Sequence, residues 1–450
     1  MHISRLIKLL LLPGIIFCQN YIIQSRDDTT FVQSEEGLKP VLDSLINQEP
    51  YWGKFYLLKD IKDGKQIKLN YIQGFEALTV DSIHIQGGQR VRNSTRQLLF
   101  KPLLHTRPDH GTRKSLEWLS RNYSWLDAGS ELGYGIYAET HLAAVVNYFP
   151  SFASHISGVM GLSRTKNGNW DGQGELDLRL ENLGGQAGVT QFKWRRPDNQ
   201  TQRVYLAYEE PFTFGLPLGI SFEIEQELIR GSYLKNARTA MVSSISRLGL
   251  WSIGGKSESF KDTEDDSTGI QAEFRSVSIR FRGDTRNHRW LPSQGNNWDL
   301  RLEIGQDFKR EASSFYELSL NYGIYTKIRG RSLIFLGFWG RGIWMKKKLH
   351  PGKFTRYGGS STLRGYREEQ FSTDRVLITS GEWLFFASVR HQIFLFSEAA
   401  IQKQIIPLPF SYGLGYRRDT PRLVFSIAYG LGREDTFSSG KLHLKVITKL

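Results

Sequence analysis

The residues best suited to directed chemistry in this 450-residue chain lie in one long polar connection, 348–375, and shortly after it. The connection carries Gly358, Gly359, Leu363, Arg364, Gly365 and Tyr366. A structureless stretch of about 28 residues is unusually long and usually functional. Its glycines permit tight backbone turns, and Arg364 is a permanent cation. Downstream, Glu382 and Glu398 fall at the inward parity of two neighbouring strand-like segments, with Phe396 beside them. A guanidinium folded back between those carboxylates would make charge-assisted, bidentate bonds, with Phe396 as a stacking face. Inward glutamates need such a partner. The chemistry expected is therefore ionic docking of a loop. No catalytic set accompanies it: the sequence contains no phosphate-binding Walker loop, no GxSxG elbow and no HExxH pair. His105 and His110 lack ligand-like spacing and read as surface histidines, so no metal and no cofactor is expected.

The docking needs a wall that presents glutamates inward, and the chain after Pro150 supplies the pattern for one. Runs of ten to sixteen residues with period-two alternation recur from 152–163 to 438–449, broken by Gly, Asn, Asp or Pro. They number about sixteen, an even count suited to a membrane β-barrel. Leu423, Phe425, Ile427, Tyr429 and Leu431 share one face of a segment, while Val424, Ser426, Ala428 and Gly430 share the other. Large apolar residues on one face of so many long strands fit lipid outside and small or polar groups inside. Closure removes the unpaired edges that an apolar medium cannot satisfy. The mean hydropathy of −0.38 agrees, because lumen-facing residues keep a barrel polar on average. The connections alternate between short ones, such as 329–330 and 419–420, and long ones at 164–172, 259–268 and 348–375.

Ahead of the strands, Arg5 and Lys8 precede an apolar run from Leu9 to Phe17, which reads as a signal peptide over 1–18. Cleavage after Cys18 would leave a mature chain without cysteine, and a lipoprotein reading of Cys18 is the runner-up. Residues 20–36 read as a linker within 19–75, followed by a short helix over 38–46 and a hairpin across Asp63-Gly64. Residues 76–150 read as strand, helix, helix, strand, strand, a small α+β domain. The net charge of +14 would suit nucleic acid in another compartment; export points instead to lipid head groups or acidic clients, or simply to a solvated lumenal surface.

Taken together, the Gly358-Gly359 pair, the Leu363-Arg364-Gly365-Tyr366 tetrad in the connection after the eleventh strand, the Pro292–Gly295 turn, the Glu382 and Phe396-x-Glu398 strands and the Gly413-x-Gly415 strand resemble the BamA/TamA/Sam superfamily, the bacterial surface antigen family. The order within 76–150 resembles a POTRA domain, and 19–75 could hold a truncated one. The resemblance implies an all-β barrel in the bacterial outer membrane with a periplasmic POTRA-like domain. It implies assembly, insertion or translocation of polypeptides through the docked arginine loop and a weak seam between the first and last strands. Partners implied are outer-membrane lipids, unfolded outer-membrane or secreted clients, and a periplasmic or inner-membrane protein bound by the POTRA-like domain; nucleic acid is not among them. Lys346, Lys347 and Lys348 close the eleventh strand at the rim, where they face lipid phosphates or plain solvent. About 130 residues ahead of the barrel cannot hold several modules of about 70 residues each, which points to an accessory factor, a two-partner secretion transporter or a reduced paralogue. The rival reading is a passive outer-membrane pore or surface receptor that keeps the fold.

Overall fold

The computed structural model describes residues 20–24, 29–32, 37, 40–41, 55–62, 66–73, 79–88, 90–108, 110–123, 125–126, 130–137, 141–164, 170–246, 248–263, 270–309, 313–403 and 407–450. The leader expected over 1–18 and most of the helix expected over 38–46 lie outside them. The chain divides into two compact units, one of residues 1–84, 102–115 and 132–145, the other of 85–101, 116–131 and 146–450.

The first unit begins with a four-stranded sheet of order β2-β1-β4-β3, built from β1 (Asn20–Gln24), β2 (Thr29–Val32), β3 (Phe55–Lys62) and β4 (Gln66–Gln73). The linker expected over 20–36 is thereby corrected, since it supplies two strands. The reason is local: Tyr21-Ile22-Ile23 and Phe31-Val32 are β-branched or aromatic residues that fit a pleated surface. β1 pairs parallel with β4, a non-local register invisible to a search for turns. The hairpin of β3 and β4 falls where the sequence places it. The following segments run β5 (Val80–Gly87), α1 (Asn93–Phe100), α2 (His110–Asn122), β6 (Glu131–Tyr137) and β7 (His141–Tyr148). The strands form a sheet of order β5-β7-β6. Val80, Leu142 and Ala144 are buried together, with Leu132 and Tyr134 packed against them.

The second unit contains a closed antiparallel barrel of sixteen strands. They are β8 (His155–Arg164), β9 (Trp170–Glu181), β10 (Val189–Arg196), β11 (Thr201–Glu210), β12 (Gly219–Ile229), β13 (Tyr233–Ser246), β14 (Gly249–Asp262), β15 (Ile270–Asp284), β16 (Gly295–Asp307), β17 (Ser313–Arg329), β18 (Ser332–Met345), β21 (Arg375–Ser388), β22 (His391–Gln402), β23 (Phe410–Asp419), β24 (Leu423–Gly432) and β25 (Lys441–Lys449). A small hairpin, β19 (Thr355–Tyr357) with β20 (Phe371–Thr373), lies in the connection between β18 and β21. That connection therefore has structure of its own, a refinement of the structureless loop expected.

Alternation sets the two faces. Along β22, Ile393, Leu395 and Ile401 are exposed outward, whereas Gln392, Phe394, Phe396 and Glu398 are buried. Trp251, Ile253, Val277, Trp383, Leu414 and Leu444 are similarly exposed on other strands. Such a belt of large apolar side chains is costly in water and favourable in lipid. Neighbouring strands pair over long registers, ten pairs for β8 with β9 and eight for β24 with β25. Among the described residues the barrel closes between β25 and β8 through three register pairs, Ile447 with Ser157, Thr448 with Ile156 and Lys449 with His155, and Leu450 N–H donates to Ser154 O at 2.9 Å just beyond them. These lie at the end where the chain enters the barrel.

Candidate functional site

The connection between β18 and β21 folds inward and is tied to several walls of the lumen. Its tip carries Arg364. The Nε of Arg364 donates to Glu398 Oε1 at 2.8 Å, and its backbone N–H donates to Glu398 Oε2 at 2.7 Å. One terminal nitrogen also lies 2.7 Å from Glu382 Oε1. The guanidinium stands 3.8 Å from the Phe396 ring centroid. The four residues singled out from sequence are thus in contact. Glu398 reaches Arg364 with both of its oxygens. The Arg417 guanidinium, unanticipated, holds Glu382 from the other side at 2.9 and 3.0 Å and lies over Phe394 at 4.0 Å. Glu382 is therefore shared, and Glu398 is the principal partner of Arg364.

The rings need floor space. A Cβ on Gly413 would lie 2.6 Å from the Phe396 ring, and one on Gly415 would lie 2.3 Å from Phe394. The alternate glycines of β23 clear the room in which Phe394 and Phe396 lie under the two arginines. Leu363 is fully buried with Tyr357, Val376, Ile378 and Ala400. Gly358 and Gly359 turn the chain into this cluster, and Gly359 N–H donates to Leu363 O at 3.0 Å. The Tyr366 hydroxyl donates to Phe410 O at 2.9 Å and accepts from Arg433 N–H at 3.2 Å. Gly365 N–H donates to His443 Nε2 on β25, the closing strand, at 3.2 Å.

Gly365 has φ +84°, and a Cβ there would sit 2.8 Å from the backbone of Leu431 and Gly432. Gly365→Ala is expected to lift the tip at a cost of about 1–3 kcal/mol from left-handed strain and this contact. Protease cleavage between Arg364 and Arg367 in the folded protein should speed up accordingly; an unchanged cutting rate would remove the close approach from the account.

A second attachment was not legible from sequence. Lys353 is fully buried and pairs with Glu258 on β14 and, at 2.9 Å, with Glu317 on β17. Its ammonium lies 4.7 Å from the Phe315 centroid and 5.1 Å from that of Phe274. The arrangement repeats that of Arg364, with a loop cation, two wall carboxylates and aromatic faces. Glu258, Glu303 and Glu317 have metal-like spacing, but Lys256 and Lys353 already hold their charge. A third attachment reverses the signs: Glu368 and Glu369 of the loop meet Arg195 at 2.9 and 3.0 Å, and Glu369 also meets Arg203. The usable signal for both was a charge at inward parity on a barrel strand, as at Glu258 and Glu317. Lys346, Lys347 and Lys348 are exposed beyond β18.

Residues 180–402, about half of the chain, match the Omp85 superfamily domain. This stretch is an Omp85 superfamily domain. Solved structures agree in fold. CdiB from Acinetobacter baumannii is similar at 13% identity with a TM-score of 0.58, over 94% of this chain and 83% of that one. CdiB from Escherichia coli has 12% identity and a TM-score of 0.55, over 98% and 93%. BamA from Haemophilus ducreyi lacking POTRA domains 1–3 has 11% identity and a TM-score of 0.51, over 93% and 94%. No curated relative matches the chain in sequence. The Omp85 barrel makes the chain a bacterial outer-membrane protein, of a superfamily whose members handle client polypeptides at the membrane.

Proposed function

We propose that this Omp85 protein assembles, inserts or translocates polypeptides at the outer membrane through the seam between β25 and β8, with the docked loop holding the neighbouring wall in register. The observation that carries the reading is the seam itself. Three register pairs close it, against eight and ten on its two sides. Lys441 to Val446 of β25 have no register partner on β8. An unpaired strand edge facing lipid is a template for another strand, and a client segment can add to it by β-augmentation. The loop tip touches Glu382 on β21, Glu398 on β22, Phe410 on β23, Gly432 at the end of β24 with Arg433 just after it, and His443 on β25. It thereby braces the strands that lead to the seam without closing the seam itself.

In this reading the residues before the barrel lie in the periplasm. Residues 76–150, with their strand, helix, helix, strand, strand order, serve as a POTRA-like module that receives clients or an envelope partner. A signal peptide over 1–18 would direct export, and Lys346–Lys348 would meet lipid phosphates at the outer rim. The activity requires no catalytic group. The loop, with its several attachments to the wall, occupies lumen that a passive pore would leave open, which favours polypeptide handling over that alternative. The test is depletion in the native bacterium followed by quantitative outer-membrane proteomics. A defined set of barrel or secreted proteins should fall while their transcripts hold. An unchanged proteome with altered permeability to small solutes would sink the proposal and leave a pore.

A further inference from the structure

The turn between β15 and β16, residues 285–294, leaves the barrel at the entry end, eight strands round from the seam. It is a rigid arm. The Asn287 side chain accepts from Ser293 N–H at 2.9 Å and Gln294 N–H at 3.2 Å. His288 Nδ1 accepts from Trp290 N–H at 3.2 Å and Leu291 N–H at 3.1 Å. Thr285 N–H donates to Asn296 O at 2.7 Å at its base, and Leu291 is buried.

The tip of this arm ends on the seam. The Trp290 ring meets His155, the first residue of β8, edge-on at 5.2 Å. Lys449, the last residue of β25, places its ammonium over the same ring at 5.7 Å. Those two residues are one of the three register pairs that close the barrel. Arg289 meets Glu181 Oε1 at 2.8 Å, and the other oxygen of Glu181 accepts from Ala153 N–H at 2.9 Å, just ahead of β8. His288 lies 3.6 Å from Asp419, which also pairs with Lys449.

We infer that Arg289 and Trp290 are positioning residues of the seam, forming a latch that reaches from the opposite wall and holds the entry end of β8 against β25. The inference deepens the seam reading proposed above and rests on it. It adds a direction: the seam parts first at its far end, where Lys441 to Val446 of β25 have no partner on β8, and the latched end parts last. One aromatic side chain bridges both strands of the closing pair, so its removal should free that pair without loosening strands held by eight or more pairs. Glu181 would keep Arg179 at 2.9 Å after loss of Arg289, so no isolated buried charge is created there.

Hydrogen exchange on the purified full chain in lipid nanodiscs tests this. In Trp290→Ala, amides of residues 447–450 are expected to exchange about tenfold faster, the scale of one lost aromatic contact plus one cation–π contact, with peptides of β17 and β18 unchanged. Equal exchange in the two proteins, or a rise across the whole barrel, would overturn the latch. Should Trp290→Ala fail to fold, Trp290→Leu replaces it: it keeps apolar volume but removes the ring that meets His155 and Lys449, exchange at 447–450 should again rise, and no rise overturns the proposal. The latch and the client reading fail separately. Faster exchange in Trp290→Ala combined with a normal client proteome after depletion would keep the latch and discard client handling.

Discussion

Replacing Arg364 with alanine is expected to release the loop tip and give the largest single effect in the molecule. The change leaves Glu398 buried without a cation, whereas Glu382 keeps Arg417 at 2.9 Å. Breaking a buried ion pair by removing one partner costs about 3–5 kcal/mol, or roughly two to nearly four orders of magnitude in the docked-to-released ratio. Cleavage of residues 358–370 by added protease in the folded protein reports that ratio directly, since proteolysis of a rapidly opening segment tracks its open population. Arg364→Lys should recover only part of the protection, because a single ammonium lacks the planar fork that reaches Glu398 Oε1 through Nε while a terminal nitrogen meets Glu382 Oε1. Adding Glu398→Gln to Arg364→Ala should restore protection in part by removing the stranded charge. Equal cleavage of wild type and Arg364→Ala would show that the docked tip contributes nothing to holding the loop.

Lys353→Met is expected to be nearly as severe, and it tests the attachment that sequence reasoning missed. Methionine fills a similar volume against Phe274 and Phe315 but removes the cation from between Glu258 and Glu317. Glu317 retains Arg341 at 2.7 Å, and Glu258 retains Lys256 at 3.3 Å. The expected cost is therefore nearer the lower end, about 3 kcal/mol. It should appear as faster protease cleavage at 353–356 and a lower temperature for loss of the compact form on gels. The double variant Lys353→Met with Glu258→Gln should recover at least half of the loss, because residues in contact are coupled rather than additive. A Lys353→Met protein indistinguishable from wild type would show that the Lys353 pairs contribute nothing to holding the loop.

These two attachments also mark where the sequence stops being readable. The barrel is legible because lipid on one side and lumen on the other impose a period of two: Leu423 to Leu431 alternate as β24 does, and sixteen such runs close into one barrel. The Arg364 attachment is legible for the same reason. Glu382 and Glu398 stand at inward parity on adjacent strands, and the arginine sits among turn glycines nearby. Lys353 is not legible, because its partners lie 95 and 36 residues away. Nothing local says where the turn at Pro351–Lys353 lands in the lumen. Strands β1 and β2 were missed for a related reason. β1 pairs in parallel with the distant β4 and β2 joins the sheet through β1, and four or five residues between polar neighbours look like linker. The Trp290 arm was visible only as a turn, since its target is two strand ends brought together by closure of the barrel.

The central claim is that clients pass through the seam between β25 and β8. Ser157 and Ile447 are register partners there. Their Cβ atoms stand at about the 4.5–5.5 Å of cross-strand pairs, close to disulfide reach. In the depleted bacterium, Ser157→Cys with Ile447→Cys should fail to restore the missing outer-membrane proteins while the bond is oxidised. It should restore them when a reductant is added. Full restoration by a protein shown to be oxidised at that pair would contradict the account, because clients would then be reaching the membrane without the seam opening at that pair.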